Sequence, residues 1–382
     1  MTLAVLTNIP TPYRTAFFNE LNSVCSSTGI DFHVIYCAST EPGRFWKFQI
    51  EENKYQYTFL SGIHPNIMGV YPHYNPSVIK VLKKLNAQYI IVAGSWNTPT
   101  MMKAILSKKE IKAKFFFWSE GHFDAQRIKT GLKAKIIKIL RKNILNRFDG
   151  FVVPNNKSKE YILSYLIKEK PIGFLPNTVD EDFYQNNLPY NKKYYIEKYH
   201  LNEKDVLICI IATLSDRKGV LEFLEAYNSL EKEIKDKLQL LYAGTGELQS
   251  KMKQYIIDHN LHNVHLLGHL DKDAIKEILF LSDVFALPTK SDPNPLSPIE
   301  ASFMNKPLLL SQKAGNFDEL MTGKNGVEIP EITVESIKNS ILAILEKSGS
   351  YEQMGKSSYE NVKANFSRKP VCVNLLNFLL SS

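Results

Sequence analysis

Residues 206–225 read VLICIIATLSDRKGVLEFLE, and their pattern indicates the fold class. It opens with the short apolar run 206–212, continues with a polar turn that contains Gly219, and ends with Leu221 and Leu224 at helical spacing. A short apolar run bounded by turn residues is typical of a buried strand, and the spacing after the turn indicates a helix. The stretch therefore predicts a strand–turn–helix unit of the kind that parallel α/β sheets repeat.

The same alternation extends along the chain in both directions. Further strand-like runs lie at residues 3–6, 32–36, 89–93, 115–118, 151–153, 172–175, 238–243, 264–267, 284–287 and 307–310, and helical patterns end the chain at 334–345, 351–366 and 371–380. The polar stretch 185–193 interrupts the alternation. We expect two doubly wound Rossmann-like lobes facing one cleft, with C-terminal helices closing the fold. The predicted lobes are residues 1–186 and 187–366, and a helix in 367–382 is predicted to return towards the N-terminal lobe.

Length and composition set the broad class. The 382 residues suffice for two domains, and 44% hydrophobic with 23% charged residues excludes a disordered, collagen-like or disulfide-scaffold chain. The four cysteines are widely spaced without a metal or redox motif, which is typical of reduced thiols in a cytosolic protein. We see neither an N-terminal leader nor a run near the about 18 apolar residues that span a bilayer, so we expect a cytoplasmic protein.

Two loops of the C-terminal lobe carry groups suited to a phosphate-bearing ligand. In doubly wound sheets, ligands bind beyond the carboxyl ends of strands, where loops lead into helix N-termini. The loop 213–219 holds Arg217 and Lys218, which would neutralise a diphosphate, although for a lone basic pair a solvated polar turn is the better explanation. In the loop 243–247, a pair of glycines that includes Gly244 permits close approach of the backbone to a ligand.

The third loop, 287–301, is the most informative. Asp292 precedes Glu300 by eight residues, so two carboxylates would lie along one bound nucleotide sugar. Ser297 and Pro298 give Glu300 an alternative, purely structural role, because their spacing is that of a capping box with proline at the first helical position.

The ordered series of motifs resembles the retaining glycosyltransferase family 4, which has the GT-B fold. The motifs are TLSDRKG at 213–219, AGTGE at 243–247, NVHLLGH at 263–269, SDVFALPT at 282–289, DPNPLSPIEA at 292–301 and NKPLLLSQKAG at 305–315. With PNTVD at 176–180 and PYR at 12–14, the resemblance covers essentially the whole chain. It implies an enzyme that moves a sugar from a nucleotide-diphosphate donor and retains the anomeric configuration.

The resemblance also implies roles for individual residues. Asp292 would bind donor-sugar hydroxyls, Glu300 the ribose hydroxyls, and Lys218 the diphosphate. Thr213 stands where the family usually has arginine, so one phosphate cation is missing unless Arg217 replaces it, and Asn294 with Pro295 also departs from the pattern. The expected donor-binding set is Lys218, Arg217, Thr213, Gly244, Gly268, His269, Leu296, Ser297 and Glu300.

The N-terminal lobe is expected to complete the site from the acceptor side. By register with the family, Glu120 takes the place of a histidine that contacts the donor sugar, with His122 as second choice; Asp292, Glu120 and His122 are thus the catalytic candidates. The alternative is that Glu120 is a surface acid and His122 an ordinary loop histidine. The acceptor-side candidates are Pro12, Tyr13, Arg14 and Trp96, although Trp96 is as readily a core residue as a platform for a sugar ring.

The charge distribution bears on the acceptor. Residues 101–170 hold 17 lysines and arginines and 6 acids, a net +11 against +8 for the whole chain. Within them, 126–148 has an amphipathic basic pattern, which predicts either contact with an anionic membrane or a core-packed helix with a solvated basic face. No zinc-finger, RNP-like or basic-heptad motif is present, so we expect no nucleic-acid partner.

We therefore expect a hexosyltransferase-type enzyme that acts on a saccharide or lipid-linked saccharide in bacterial surface polysaccharide (O-antigen, capsule) synthesis at the inner face of the membrane. No cofactor or metal is expected, because no His/Cys cluster has ligand spacing and Asp271 reads as a helix N-cap rather than half of an Asp-x-Asp site. Two alternatives stay open: a nucleotide-sugar 2-epimerase on the same fold, and an inactive nucleotide-sugar-binding subunit.

Overall fold

The structure is a computed structural model that describes residues 1–41, 52–67, 71–123 and 131–382. The side chains of Pro12, Tyr13 and Lys133 are not described. The described residues form two compact units, Met1–Thr178 together with Arg368–Ser382, and Val179–Ser367. The domain boundaries expected from the sequence remain predictions.

The first unit is built on one parallel sheet. Its described strands are β1 (Thr2–Thr7), β2 (Asp31–Tyr36), β3 (Gln56–Phe59), β4 (Tyr89–Ala93), β5 (Lys114–Trp118), β6 (Gly150–Val153) and β7 (Ile172–Phe174). They lie in the order β3-β2-β1-β4-β5-β6-β7. The order reverses between β1 and β4, and such a switch point leaves a crevice at the carboxyl ends of the two strands.

Helices cover this sheet. They are α1 (Pro12–Ser27), α2 (Val78–Leu85), α3 (Pro99–Leu106), α4 (Lys108–Ile111), α5 (Leu132–Leu145) and α6 (Asn156–Leu163). Both faces are apolar: Val92 and Phe117 lie in one core cluster, and Ile91 and Phe116 in the other. Burial on both faces explains why β4 and β5 are unbroken apolar runs rather than alternating ones.

The second unit repeats the design. Its strands are β8 (Val206–Ile211), β9 (Leu238–Ala243), β10 (Val264–Gly268), β11 (Val284–Leu287), β12 (Leu308–Ser311) and β13 (Gly326–Ile329), in the order β10-β9-β8-β11-β12-β13. Its helices are α7 (Glu181–Gln185), α8 (Lys192–Lys198), α9 (Val220–Asn228), α10 (Lys232–Lys235), α11 (Gln249–Asp258), α12 (Lys272–Leu281), α13 (Ser297–Phe303), α14 (Phe317–Leu320), α15 (Val334–Leu345) and α16 (Tyr351–Asn365). All described pairings in this sheet are parallel, and the switch point lies between β8 and β11.

The last helix, α17 (Arg368–Ser381), belongs to the first unit and packs against α1. Its apolar side chains Cys372, Leu375 and Leu379 are buried in the same cluster as Phe18 and Leu21 of α1. All four cysteines of the chain are buried thiols.

The predicted doubly wound α/β class is confirmed, and every strand expected from an apolar run is present. β3 and β13 were missed because both are edge strands whose half-exposed sequences, QYTF and GVEI, lack a buried apolar run. Asp271 caps α12 as expected, accepting from the Ala274 N–H at 2.9 Å. The capping-box prediction is wrong: α13 begins at Ser297 itself, and no side chain caps it.

Candidate active site

The switch point of the second unit brings together two of the loops singled out in the sequence. One follows β8 and ends in a short 3-10 turn, Asp216–Lys218, and the other follows β11 and leads into α13. The two loops are joined by backbone hydrogen bonding, since the Lys290 N–H donates to the Arg217 carbonyl at 2.9 Å. Ligands of doubly wound sheets bind at this position.

Lys218 and Asp292 meet here as a buried ion pair. The Lys218 ammonium donates to the Asp292 carboxylate, and the two side chains are only 11% and 13% exposed. Gly219, which follows Lys218, adopts φ +64 and has no room for a Cβ, because one would lie 1.9 Å from the Pro288 carbonyl oxygen. Because glycine adopts this backbone conformation readily and has no Cβ, the loop after β8 can lie directly against the loop after β11.

Arg217 and Thr213 are both exposed, and Arg217 forms a hydrogen bond with the loop after β11. Arg217 Nη1 donates to the Ser291 carbonyl at 2.5 Å, which leaves the guanidinium at the rim of the switch point. The predicted cation pair is thus divided into one buried ammonium with a carboxylate partner and one exposed guanidinium.

Gly244 lies where the backbones of three strand ends converge. Its N–H donates to the Gly268 carbonyl at 2.7 Å, its φ is +143, and a Cβ would lie 2.0 Å from the Ala212 carbonyl oxygen. Gly268 also has a positive φ of +71, but the space around it is open, and His269 beside it is exposed. Gly244 is therefore required by packing whether or not a ligand approaches it.

Glu300 lies on α13, in contact with a residue that the sequence analysis missed. The Tyr184 hydroxyl donates to its carboxylate, and Lys272 contributes a nearby positive charge. Burial raises the pKa of Glu300, and the Tyr184 hydrogen bond and Lys272 oppose that rise. Burial and the neighbouring Glu300 carboxylate raise the pKa of Tyr184, so its hydroxyl stays a donor. Leu296 and Ser297, at the start of the same helix, are partly buried.

In the first unit, two predicted residues from separate segments meet. Arg14 on α1 donates through Nη1 to Thr7 Oγ1 at 3.0 Å, its Nη2 lies 3.6 Å from Glu120 Oε1, and its guanidinium lies 4.6 Å from the Trp118 ring centroid. A concavity beside this cluster is lined by Arg14, Phe17, Trp118, Pro176, Asn177 and Thr178. Glu120 is 34% exposed, so the arrangement offers a carboxylate and a guanidinium to a ligand at the carboxyl ends of β1 and β5.

The positions of the other first-unit candidates give less support for contact with a ligand. His122 is buried. Trp96 is partly buried against the core, with the Arg141 guanidinium 5.1 Å from its ring centroid, so its position agrees with the structural alternative at least as well as with a sugar platform. Pro12 and Tyr13 begin α1, and their side chains lie outside the described part of the chain.

A histidine pair at the carboxyl edge of the first sheet had no signal in the sequence. His73 is fully buried, with Nε2 2.8 Å from Glu41 Oε1 and Nδ1 2.9 Å from His64 Nδ1. The three residues are far apart in sequence, and only the pairing of their loops brings them together. Both ring nitrogens of His73 are engaged, which fits a structural link better than a metal site.

Across the described ranges, no group of three His, Cys, Asp or Glu side chains could hold a metal ion, and metal independence stays a prediction. No helix in these ranges is long and apolar enough to cross a bilayer.

Comparison with known proteins gives a family for part of the chain. Residues 191–361 match the family described as Glycosyl transferases group 1. An uncharacterized glycosyltransferase of Methanocaldococcus jannaschii is 23% identical over 349 residues, covering 88% of this chain and 86% of its own. The N,N'-diacetylbacillosaminyl-diphospho-undecaprenol alpha-1,3-N-acetylgalactosaminyltransferase of Campylobacter jejuni is 24% identical, covering 70% of each chain.

Solved structures extend the likeness to the whole chain. The Anabaena protein HepE, in complex with UDP, superimposes with a TM-score of 0.78 at 13% identity and full coverage of both chains. A glycosyltransferase from Rickettsia africae has a TM-score of 0.77 at 16% identity, with 100% of this chain and 98% of the other covered.

Proposed function

Because residues 191–361 match the family described as Glycosyl transferases group 1, we propose that this protein moves a hexose from a nucleotide-diphosphate donor to a lipid-linked saccharide, with retention of the anomeric configuration. The chain has the GT-B fold, shared with the solved structures named above. The observation that supports a nucleotide-diphosphate donor most strongly is the Lys218–Asp292 pair at the switch point of the second unit.

We propose a donor that carries a diphosphate because the switch point offers positive charge to an anion. Lys218 and Arg217 lie on the loop after β8, and a diphosphate would take over the ammonium that Asp292 now holds. Asp292, released from Lys218, would then accept hydrogen bonds from sugar hydroxyls. Glu300 would accept from the ribose, positioned by the Tyr184 hydroxyl.

In the proposed reaction, the bond between the anomeric carbon and the diphosphate oxygen breaks, and a new bond forms to the acceptor hydroxyl oxygen on the same face. The hydroxyl proton passes to the departing phosphate oxygen, so the products are the glycosylated acceptor and the nucleoside diphosphate. Donors aimed at developing charge contribute about 3 to 4 kcal/mol each where they have been measured, and Lys218 is the proposed source. Glu120 and His122 remain the proposed catalytic residues of the first unit.

The proposed acceptor is lipid-linked because α5 exposes apolar side chains among cations. Leu132, Ile136, Ile139 and Leu140 are 75%, 50%, 60% and 48% exposed, and the helix contains no acid. Isolated exposed apolar residues are ordinary, but four of them on one basic helix favour contact with an anionic lipid surface. Of the predicted segment 126–148, residues 126–130 lie outside the described residues.

Arg141 is an exception among the cations of α5. Its guanidinium donates to the Tyr165 hydroxyl at 2.9 Å and lies 5.2 Å from that ring centroid, so it anchors α5 to the rest of the first unit. The cations proposed to face lipid are therefore Lys135, Lys138 and Lys142. Each cation near an anionic surface contributes about 1 kcal/mol.

Product analysis tests the transfer. The protein is incubated with UDP- and GDP-hexoses, with and without a diphospho-lipid-linked N-acetylglucosamine, and products are identified by mass spectrometry. Acceptor-dependent glycosylation supports the proposal, whereas an epimerised donor formed without acceptor would overturn it. Lys218→Ala, Asp292→Ala and Glu300→Ala should abolish transfer while the thermal unfolding transition persists.

Liposome flotation tests the membrane surface. We expect the protein to float with vesicles that contain anionic lipid, and the Ile136→Gln/Ile139→Gln variant to float less. Ile257→Gln is the matched control, because Ile257 is a 59% exposed isoleucine on α11 of the second unit. Equal flotation with neutral and anionic vesicles would contradict the proposal.

A further inference from the structure

The loop between β11 and α13 and the segment that packs on it contain amide atoms that are buried without a partner. Among the described residues, neither the Asn294 side-chain nitrogen nor its oxygen forms a hydrogen bond, and the same is true of Asn316 Oδ1. Asn316 as a whole is fully buried. A buried polar atom without a partner costs free energy, so a cluster of them in one place indicates a site that a ligand completes.

The two prolines around Asn294 make its side chain the main polar group of this part of the loop. Pro293 and Pro295 have no N–H, so the backbone cannot donate on either side of Asn294. The Pro295 carbonyl is already occupied, since it accepts from Asn316 Nδ2 at 2.9 Å. Among residues 293–295, Asn294 alone therefore has hydrogen-bond donors for a neutral polar ligand, namely its own N–H and its carboxamide.

The loop is held in place before any ligand arrives. The Gly315 N–H donates to the Asp292 carbonyl at 2.7 Å, and a Cβ on Gly315 would lie 1.7 Å from the Pro293 carbonyl oxygen. The buried Asn316 fixes the other side through its bond to Pro295. A side chain on a rigid support of this kind can discriminate between ligands of similar shape.

We propose that the Asn294 carboxamide binds two adjacent hydroxyls of the donor hexose, and so selects which hexose is transferred. The inference rests on the proposed function, in which Asp292, two residues earlier, holds the same sugar. A carboxamide has a donor and an acceptor side by side, so Nδ2 donates to one hydroxyl oxygen while Oδ1 accepts from the neighbouring hydroxyl.

On this assignment, Asn294 contributes to the binding of the sugar and not to the binding of the nucleotide. A nucleoside diphosphate without the hexose leaves Asn294 unpaired, as it is now, whereas the correct sugar nucleotide satisfies it. A site built to hydrogen-bond a hydroxyl strongly rejects an analogue in which that group is missing or misplaced. Hexoses that differ in configuration at one of the two hydroxyls should therefore be discriminated by Asn294.

Calorimetric titration of the full chain tests the proposal. The probes are UDP, GDP, UDP-glucose, UDP-galactose, UDP-N-acetylglucosamine and GDP-mannose. For Asn294→Ala we expect the preferred sugar nucleotide to bind roughly 10-fold to 100-fold more weakly, the preference between epimers to shrink, and the bare diphosphate to bind within twofold of the unchanged protein. The control is Asn365→Ala, an exposed asparagine on α16, which should change none of these.

Folding is checked with a second variant. Asn294→Leu removes the unpaired atoms while keeping the volume, so its thermal midpoint should not fall, and it should show the same selective loss of sugar-nucleotide binding. An unchanged ratio of sugar-nucleotide to diphosphate affinity in both variants would overturn the role of Asn294 while leaving the proposed function intact. Failure of the unchanged protein to bind any nucleotide or sugar nucleotide would instead overturn the proposed function, and this assignment with it.

Discussion

Replacing Asp292 by asparagine should weaken the fold and strengthen the binding of nucleoside diphosphate. In the unchanged protein the Lys218 ammonium donates to the Asp292 carboxylate, with the side chains 11% and 13% exposed. Removing one partner of a buried pair leaves the other charge uncompensated, at a cost of about 3 to 5 kcal/mol when burial is complete. Because about a tenth of each side chain still reaches solvent, we expect a loss of about 3 kcal/mol in the free energy of unfolding.

The same substitution frees Lys218 for phosphate. A diphosphate no longer competes with Asp292 for the ammonium, and a hydrogen bond between charged groups contributes about 1.5 to 3 kcal/mol. Part of this gain is offset by the cost of fixing the lysine side chain, so we expect the Kd of the preferred nucleoside diphosphate to fall about tenfold, equivalent to about 1.4 kcal/mol. Sugar transfer should be lost nevertheless, because Asp292 is the proposed contact to the sugar.

Urea denaturation and calorimetric titration measure the two effects. Asp216→Asn is the matched control, because Asp216 pairs with Lys290 at 2.7 Å but is 76% exposed, and Lys290 keeps a second partner, Glu222, at 2.5 Å. Exposed pairs contribute about 1 kcal/mol or less, so this variant should differ little from the unchanged protein. Equal unfolding free energies for the two variants, together with an unchanged Kd, would refute the role of Lys218 in holding diphosphate.

Three further outcomes follow from the second unit. Tyr184→Phe removes the hydroxyl that donates to Glu300, so the free energy of unfolding should fall by about 1.5 to 3 kcal/mol and nucleotide affinity should also fall. Unchanged values of both would show that the Tyr184 hydrogen bond does not position the Glu300 carboxylate. Gly244→Ala forces a Cβ to within 2.0 Å of a carbonyl oxygen and should cost about 3 kcal/mol or more in urea denaturation, whereas Gly349→Ala, in open space, should cost little. Burial lowers the pKa of His265, so near pH 6 the unfolded chain binds more protons than the folded protein. The contribution of the neutral His265 to the free energy of unfolding is therefore fully present above about pH 6.5 and is lost as the pH falls through the pKa of the folded state. His265→Gln should therefore flatten the loss of stability between about pH 7 and pH 5, and an unchanged slope would contradict it.

The fold was readable from the sequence because strands buried on both faces appear as unbroken apolar runs. The runs at β4 and β8 needed no partner to be identified, since period and length alone predict a buried strand. β3 and β13 could not be found in this way, because an edge strand takes its conformation from the neighbour it pairs with. The start of α13 was misjudged for a related reason: the preceding loop is fixed by contacts with Gly315 and Asn316, more than a dozen residues later.

The candidate site was predictable only where chemistry is local. Lys218 and Asp292 stand out as charged residues in turns after strands, and the topology then brings them together. Tyr184 precedes Glu300 by more than a hundred residues and shares no motif with it, so only the packing of α7 against α13 reveals the contact. Asn294 was visible in the sequence solely as a departure from a family pattern, and its unpaired buried atoms are a property of the folded loop.

The return of α17 to the first unit has a consequence for the order in which the chain folds during synthesis. The core beneath α1 is open until residues 368–381 have been made, although the rest of that unit ends at Thr178. At about 5 to 20 residues per second, the ribosome takes roughly 10 to 40 s to cover that interval. The second unit, being contiguous, is complete before the first can close, so nascent chains pass through a stage in which the apolar surface beneath α1 needs shielding from other chains.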